Sequence, residues 1–285
     1  MSQGLTAKPG YRCQTEDTSV EADVYLFNRL RQLTQQERVI LASAQDRNTR
    51  RLCLTGIEWR YPEAPLEEIR DRFARAVLSE QFPPHFQPIG LDKTMWVQDS
   101  ISLAQTLHPI FEAADLPYYI SGGVASSIHG EARSTRDLDL VIQIQEDQVE
   151  ALVTALRSAG FYCPDGAVEE VKSFRSKLLN ITHTETIANA DLYVMEPSPF
   201  SQSQMARRRL LPLDGQAGFW LISAEDLILQ KLLWRRNSTS EKQWRDILGV
   251  LKVQTTLLDY AYLLEWAEQL RILDALNQAL LEAGV

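Results

Sequence analysis

The chain has 285 residues, enough for one large domain or two modest ones, and its 45% hydrophobic content is ample for a buried core. A formal charge of -9 gives no broad basic surface, which disfavours nucleic acid as a bulk partner because such binding displaces counterions with Lys and Arg. The longest apolar runs, such as Phe219 to Ile222 and Leu138 to Ile142, are strand-sized and far short of the ~20 residues of a membrane helix, so no membrane span is expected.

Residues 1–20 are polar and non-periodic, with Gly4, Pro9 and Gly10, which is the composition of a loose tail. No apolar segment follows a basic one there, so a cytosolic protein without a secretory leader is expected. A helical extension and linker are expected over 21–97. Thr34-Gln-Gln-Glu37 is a capping box, in which the threonine oxygen accepts from the third helical amide and the glutamate reaches back to the cap. It opens a helix to about Thr55, where Gly56 suits a left-handed C-terminal cap. Pro65 starts another helix, whose apolar residues at 66, 69, 73, 76 and 77 form one stripe. Pro83, Pro84, Pro88 and Gly90 then stop helices and favour an extended connector, which places a boundary there.

Asp99 is a good N-cap for a helix carrying Ile101, Leu103, Leu107, Ile110 and Phe111 toward Asp115, with Pro109 a candidate kink. Pro117-Tyr-Tyr-Ile-Ser reads as a short strand, Gly122-Gly123 as a turn, and Val124 to His129 as a short helix. Asp137-Leu-Asp-Leu-Val-Ile-Gln-Ile reads as a strand with one wet end. Asp147 opens a helix through Leu156 that Gly160 closes, and Leu178 to Thr182 and Ala190 to Met195 are two more strands. Ser223 caps a helix over Ala224 to Trp234, and further helices are expected over Glu241 to Val253, Asp259 to Leu270 and Leu273 to Ala283. The fold class is therefore α/β (α+β), with a short mixed sheet in a core over 98–222 and a C-terminal helical lobe over 223–285. Three widely spaced cysteines, Cys13, Cys53 and Cys163, match no metal spacing and read as reduced bystanders.

The chemistry is concentrated at Asp137-Leu138-Asp139. Side chains two apart on a strand share a face, so these carboxylates stand together while Leu138 turns inward. Adjacent carboxylates repel, and hard oxygen ligands projecting together are what Mg²⁺ uses when substrate phosphates complete its shell. A lone Asp-x-Asp is more often a solvated strand end. The strand, Gly122-Gly123 turn and short helix just upstream change that balance, because glycines let a backbone approach a ligand and leave helix N-terminal amides to meet anionic oxygens.

Together, Ile120-Ser-Gly122-Gly123, the stretch from Val124 to Arg136, and Asp137-Leu-Asp139 resemble the signature of the nucleotidyltransferase superfamily of the DNA polymerase beta type. The finer string from Ser121 to Leu140 is similar to compact bacterial nucleotidyltransferases found beside abortive-infection and toxin-antitoxin systems. The resemblance covers about residues 105 to 255, since Ser223-Ala-Glu-Asp-Leu-Ile-Leu-Gln-Lys231 also matches the start of those proteins' C-terminal helices. It implies a third carboxylate from a later strand. Asp191, flanked by an apolar run as Asp139 is, is the best match, with Glu185, in a polar stretch that reads as a hairpin turn, the runner-up. It also implies two Mg²⁺ ions on the three acids and a nucleoside triphosphate as substrate.

Ser121, Ser126, Thr135 and Arg136 lie near the turn and the acid pair, so each is a candidate phosphate contact; turn and cap hydrogen bonds compete equally for that assignment. Arg133 is similar. Lys231 matches a lysine common in the related proteins and is a candidate phosphate or base contact, against an ordinary helix lysine. His129 and His183 are more readily structural than catalytic, Trp234, Trp244 and Trp266 fit a helical core better than a nucleobase stack, and Arg207-Arg208-Arg209 fits a solvated surface better than an RNA contact. The expected reaction is nucleoside monophosphate transfer to an acceptor hydroxyl, the acceptor being a protein, a tRNA end or a small molecule. Two alternatives are a silent nucleotide-binding module and a toxin-antitoxin component that pairs with a protein through its N-terminal helices.

Overall fold

The computed structural model of the chain describes residues 5–213, 215–236 and 240–285, so the first four residues of the expected tail lie outside it. Five helices precede the first strand: α1 (Val20–Leu30), α2 (Gln35–Arg60), α3 (Leu66–Leu78), α4 (Lys93–Trp96) and α5 (Ser100–Ala113). The capping box forms, with the Glu37 amide donating to Thr34 Oγ1 at 3.2 Å and the Thr34 amide donating to Glu37 at 2.7 Å. The helix it opens does not stop at Gly56 but runs to Arg60. Leu54 and Ile57 pack with Ile69, Phe73 and Trp96 in a small core of their own, and that burial outweighs the ~1 kcal/mol penalty of one helical glycine. The buried face of α3 is Ile69, Phe73, Ala74 and Leu78, and Ala76, expected in the stripe, is exposed.

The remaining elements are β1 (Tyr118–Ile120), α6 (Gly122–His129), β2 (Leu138–Ile142), α7 (Val149–Ser158), β3 (Phe161–Tyr162), α8 (Asp165–Lys172), β4 (Leu178–His183), β5 (Asn189–Val194), α9 (Pro199–Arg207), β6 (Arg209–Leu213), β7 (Gln216–Leu221), α10 (Ala224–Arg235), α11 (Glu241–Gln254), α12 (Tyr260–Gln269) and α13 (Leu273–Ala283). Among the described residues the sheet has seven strands, ordered β3-β4-β5-β2-β1-β7-β6. β2 is parallel to β5 and β1 to β7, and the other pairings are antiparallel, so the fold is mixed α/β. The sheet is wider than the sequence suggests, because β3 has two residues and β6 is a half-exposed edge strand that lacks clean alternation. Asp147 does not cap α7; it sits in a 3-10 turn over Glu146–Gln148, where Gln145 and Gln148 form the capping box instead.

The C-terminal helices close over one face of this sheet's α6. α11 packs against α1, α6, α10 and α13, and its Lys252 is fully buried. A buried ammonium must be compensated. Lys252 donates to Asp23 of α1 at 2.8 Å and to the Arg12 carbonyl at 2.6 Å. Residues 5–18 form no helix or strand, yet Leu5 and Gln14 are buried and the Arg12 amide donates to the Glu282 carbonyl. Composition cannot signal that arrangement, since the Lys252 and Glu282 partners of Arg12 lie more than 200 residues away. Cys13, Cys53 and Cys163 are free thiols, and among the described residues no helix is long and apolar enough to cross a membrane.

Candidate active site

Asp139 is the second residue of β2, and Asp191 of the parallel neighbour β5 is paired with it in register. Registered residues on adjacent strands project to one face, so these two carboxylates stand side by side while Leu138, Leu140 and Leu192 are fully buried. Asp137 precedes β2 by one residue and lines the same cleft, which has a volume of about 480 Å³. Glu185 is exposed in the turn between β4 and β5 and does not line it.

The turn after β1 fits closely against Asp139. Gly122 has φ +57°, and a Cβ there would stand 1.8 Å from Asp139 Oδ2, so backbone and space both require glycine. A Cβ on Gly123 would meet the Thr135 methyl at 2.7 Å. The Gly123 amide donates to Asp139 Oδ2 at 3.3 Å, so this amide, expected to be free, faces a carboxylate at the N-terminus of α6.

All three carboxyls are held above the ordinary aspartate range, and burial is the first cause in each. Asp191, only 6% exposed, is pushed up to about 6; Asp139 and Asp137 add to the effect, while the Asn180 amide, 2.6 Å from its Oδ1, opposes it. Burial and the Asp137 charge raise Asp139 against the Gly123 hydrogen bond. Burial raises Asp137 against Gln81, which with its amide nitrogen turned inward donates to both carboxylate oxygens at 2.7 and 3.2 Å.

The facing wall comes from α10 and α11. Lys231 is buried and donates to Asp246 at 2.9 Å, while Arg133 grips both Asp246 oxygens at 2.8 Å. Burial alone would raise the Asp246 carboxyl, but these two cations hold it below the usual range. Arg133 and Lys231 share the single charge of Asp246, and with Arg136 and Lys242 the lining sets four cations against the four carboxylates of Asp137, Asp139, Asp191 and Asp246. The cleft therefore has no surplus positive charge for a polyanion.

The structure brings Asp137, Asp139, Asp191, Gly122, Gly123, Thr135, Arg136 and Lys231 to one cleft. Thr135 is partly committed, its amide donating to Asp46 of α2 at 2.7 Å. Ser121 and Ser126 are not in the cleft. Ser121 is buried with its hydroxyl on Gln230, and Ser126, turned back by the helix, donates to the Gly122 carbonyl at 2.7 Å. His129 is buried against the Ile222 carbonyl at 2.8 Å and is pushed down to about 4 by burial, so it is neutral and structural. His183 packs edge-on to Phe161. Trp244 fills the core as expected, but Trp234, 38% exposed, faces the cleft. Arg207 lies over Tyr262 and Arg208 over Trp220, away from the cleft lining. Sequence reasoning passed over Gln81, Lys242 and Asp246. The one available signal was helical spacing, which puts Lys242 with Asp246 and Lys231 with Trp234 on shared faces.

Mg²⁺ is characteristically held by one or two carboxylates plus phosphates and water rather than by a closed protein cage. The donor set fits that description: hard carboxylates on one wall, destabilised by burial and mutual repulsion. Among the described residues no group of three or more His, Cys, Asp or Glu side chains is arranged to hold a metal ion by itself, so Asp137, Asp139 and Asp191 do not make a complete site without further ligands.

No family model matches the chain, and no match is found among curated proteins. Solved structures similar to part of it include those of two proteins. An antigenic nucleotidyltransferase-like protein from Paracoccidioides brasiliensis is 19% identical, with a TM-score of 0.41 over 65% of this chain and 93% of that one. The antibiotic-resistance factor ANT(2'')-Ia is 16% identical, with a TM-score of 0.38 over 63% of this chain and 91% of that one.

Proposed function

We propose that this protein is a Mg²⁺-dependent nucleotidyltransferase that moves a nucleoside monophosphate from a nucleoside triphosphate to an acceptor hydroxyl, releasing pyrophosphate. The observation that carries this reading is the register of Asp139 with Asp191, which joins Asp137 to make three destabilised carboxylates beside a glycine turn. Asp137, Asp139 and Asp191 would hold the metal, two ions in the full reading. Bound Mg²⁺ supplies Lewis-acid neutralisation of the triphosphate and of the departing pyrophosphate. Arg136 and Lys242, which line the cleft, would meet the phosphates, and Trp234 would offer an exposed ring for the base. Asp191 accepts the proton as the acceptor oxygen forms its bond to the α-phosphorus and the bond to pyrophosphate breaks. Lys231 acts through Asp246, fixing the facing wall.

Thermal unfolding with ligands tests this. Mg²⁺ and triphosphate together should raise the melting temperature more than the sum of their separate effects, by several degrees, since a ligand at a hundred times its Kd stabilises by about 2.7 kcal/mol. A joint shift that survives Asp137→Ala with Asp139→Ala would remove the carboxylates from the metal site.

A second reading has its own observation. Leu52 and Trp59, two turns apart on α2, are 75% and 83% exposed, a spacing that puts both on one face for a protein partner such as a toxin-antitoxin mate. Size-exclusion chromatography with the neighbouring gene product co-expressed would show co-elution that Trp59→Ser abolishes; separate elution rejects the pairing.

A further inference from the structure

The cleft does not end at Asp137. It opens into a second chamber of about 630 Å³, within the size range of small-molecule sites. Gln81, Thr135, Arg136, Asp137 and Lys242 belong to both spaces, with the two cations on the side shared with the cleft, and the far wall is formed by Arg50 and Cys53 of α2 and Val77 of α3. The N-terminal helices, outside the part of the chain that resembles nucleotidyltransferases, thus complete a compartment that borders the acids.

Arg50 gives that compartment its chemistry. Its Nε donates to the Trp96 carbonyl at 2.8 Å, and its Nη2 donates to the carbonyls of Thr186 and Ile187 at 3.0 and 3.1 Å. Phe73 lies beneath the guanidinium, 5.4 Å from it. Nη1 takes no part in these bonds, and the side chain is held rigidly along the chamber wall. Its charge has no carboxylate partner among the described residues. Asp46 and Asp99 favour its charge through space but neither is in contact with it: Asp46 accepts from Thr135 and Ser100, and Asp99 from Ser43 and Arg47. Backbone carbonyls would accept as well from a neutral donor, so these bonds do not explain the charge. A partly buried, immobile and unpaired guanidinium is costly unless an anion meets it, and it is pre-organised to receive one.

We propose that this chamber holds the acceptor, and that the acceptor is a small hydroxyl-bearing molecule with an anionic group, carboxylate or phosphate, seated on Arg50. Its hydroxyl passes over Asp137 into the cleft. There the oxygen bonds to the α-phosphorus, pyrophosphate departs, and the hydroxyl proton goes to Asp191. This rests on the nucleotidyltransferase reading above. A tRNA end or a protein would have to enter a compartment of small-molecule size in a chain of net charge -9.

The test uses triphosphate labelled at its α-phosphate, Mg²⁺, and a cell extract divided by ultrafiltration into its retained macromolecules and its small molecules, the latter split beforehand by anion exchange into anionic and non-anionic pools. Label is expected to enter the anionic pool, and phosphatase treatment of that pool before the reaction separates the sources: labelling is lost for a phosphate and kept for a carboxylate. Arg50→Gln should raise the acceptor KM roughly ten- to hundred-fold while leaving kcat and the joint Mg²⁺-triphosphate thermal shift unchanged. Should that variant fold poorly, Ala76→Trp, at an exposed position lining the same chamber, is expected to raise the acceptor KM and spare the thermal shift. The proposal is overturned if label enters only the non-anionic pool or macromolecules, if no pool is labelled although the thermal shift is present, or if both variants leave the acceptor KM unchanged. Absence of the thermal shift itself would instead sink the nucleotidyltransferase reading.

Discussion

Replacing Asp191 with Asn is expected to lower the proposed turnover by orders of magnitude, roughly 10²- to 10⁴-fold, and at the same time to make the metal-free protein more stable. The loss follows from the proposed reading, in which that charge binds metal and accepts the proton. The gain follows from linkage. A carboxyl raised from 3.8 to about 6 by folding holds its proton more tightly in the folded state. Its ionised form is thus a penalty that is absent below the unfolded value, grows as the pH rises between the two, and is complete above about 6. At neutral pH that penalty is about 3 kcal/mol, which Asn does not incur. Melting curves without Mg²⁺ should show Asp191→Asn several degrees above wild type at neutral pH, and level with it near pH 3. Glu185→Gln, at an exposed turn position, should match wild type in both assays. An active Asp191→Asn enzyme beside an inactive Glu185→Gln enzyme would show that the third acid has been placed on the wrong segment.

The second large effect is on stability. Asp246→Ala is expected to cost about 3–5 kcal/mol, because it strands Lys231, 3% exposed, and half-buried Arg133 beside one another without an anion. The Asp246 carboxyl lies below its ordinary range, so its contribution is present at neutral pH and fades as the pH falls through that lowered value. Urea unfolding without nucleotide measures it. A loss under about 1 kcal/mol would mean that both cations reach solvent when released, and would return Lys231 to the role of a phosphate ligand.

What could be read from the sequence was whatever is local. Asp137 and Asp139 show their relation in two positions of one strand, Thr34 and Glu37 theirs in one helical turn, and Asp191 carries its apolar flanks with it. What could not be read was whatever depends on which segment becomes whose neighbour. The pairing of Asp139 with Asp191 is a property of β2 lying beside β5. Asp46 holds the Thr135 amide across 89 residues, and nothing near either one announces it. Proximity in sequence also misled: Ser126 is three residues from Gly123, yet the helical rotation of α6 turns its hydroxyl back onto the Gly122 carbonyl. Trp234 looked like core because α10 is apolar around most of its girth, and only the position of α11 decides that this ring is left at the cleft.

Lys252 and Asp23 are 229 residues apart, and this separation fixes an order of events during biosynthesis. Chains emerge N-terminus first, and domains generally begin to fold as they appear. α1 appears early but its Asp23 carboxylate has no ammonium to accept from until α11 has been made, and an undocked segment of 11 residues is only marginally helical, so it is expected to wait on the nascent chain largely unfolded. Closing so long a loop adds an entropy penalty that grows with the logarithm of its length, and is met only once the sheet and α6 have drawn the ends together. Docking of α1 is thus a late step, and ribosome-stalled chains that stop short of Lys252 should leave it open to protease while β1 to β5 are already protected.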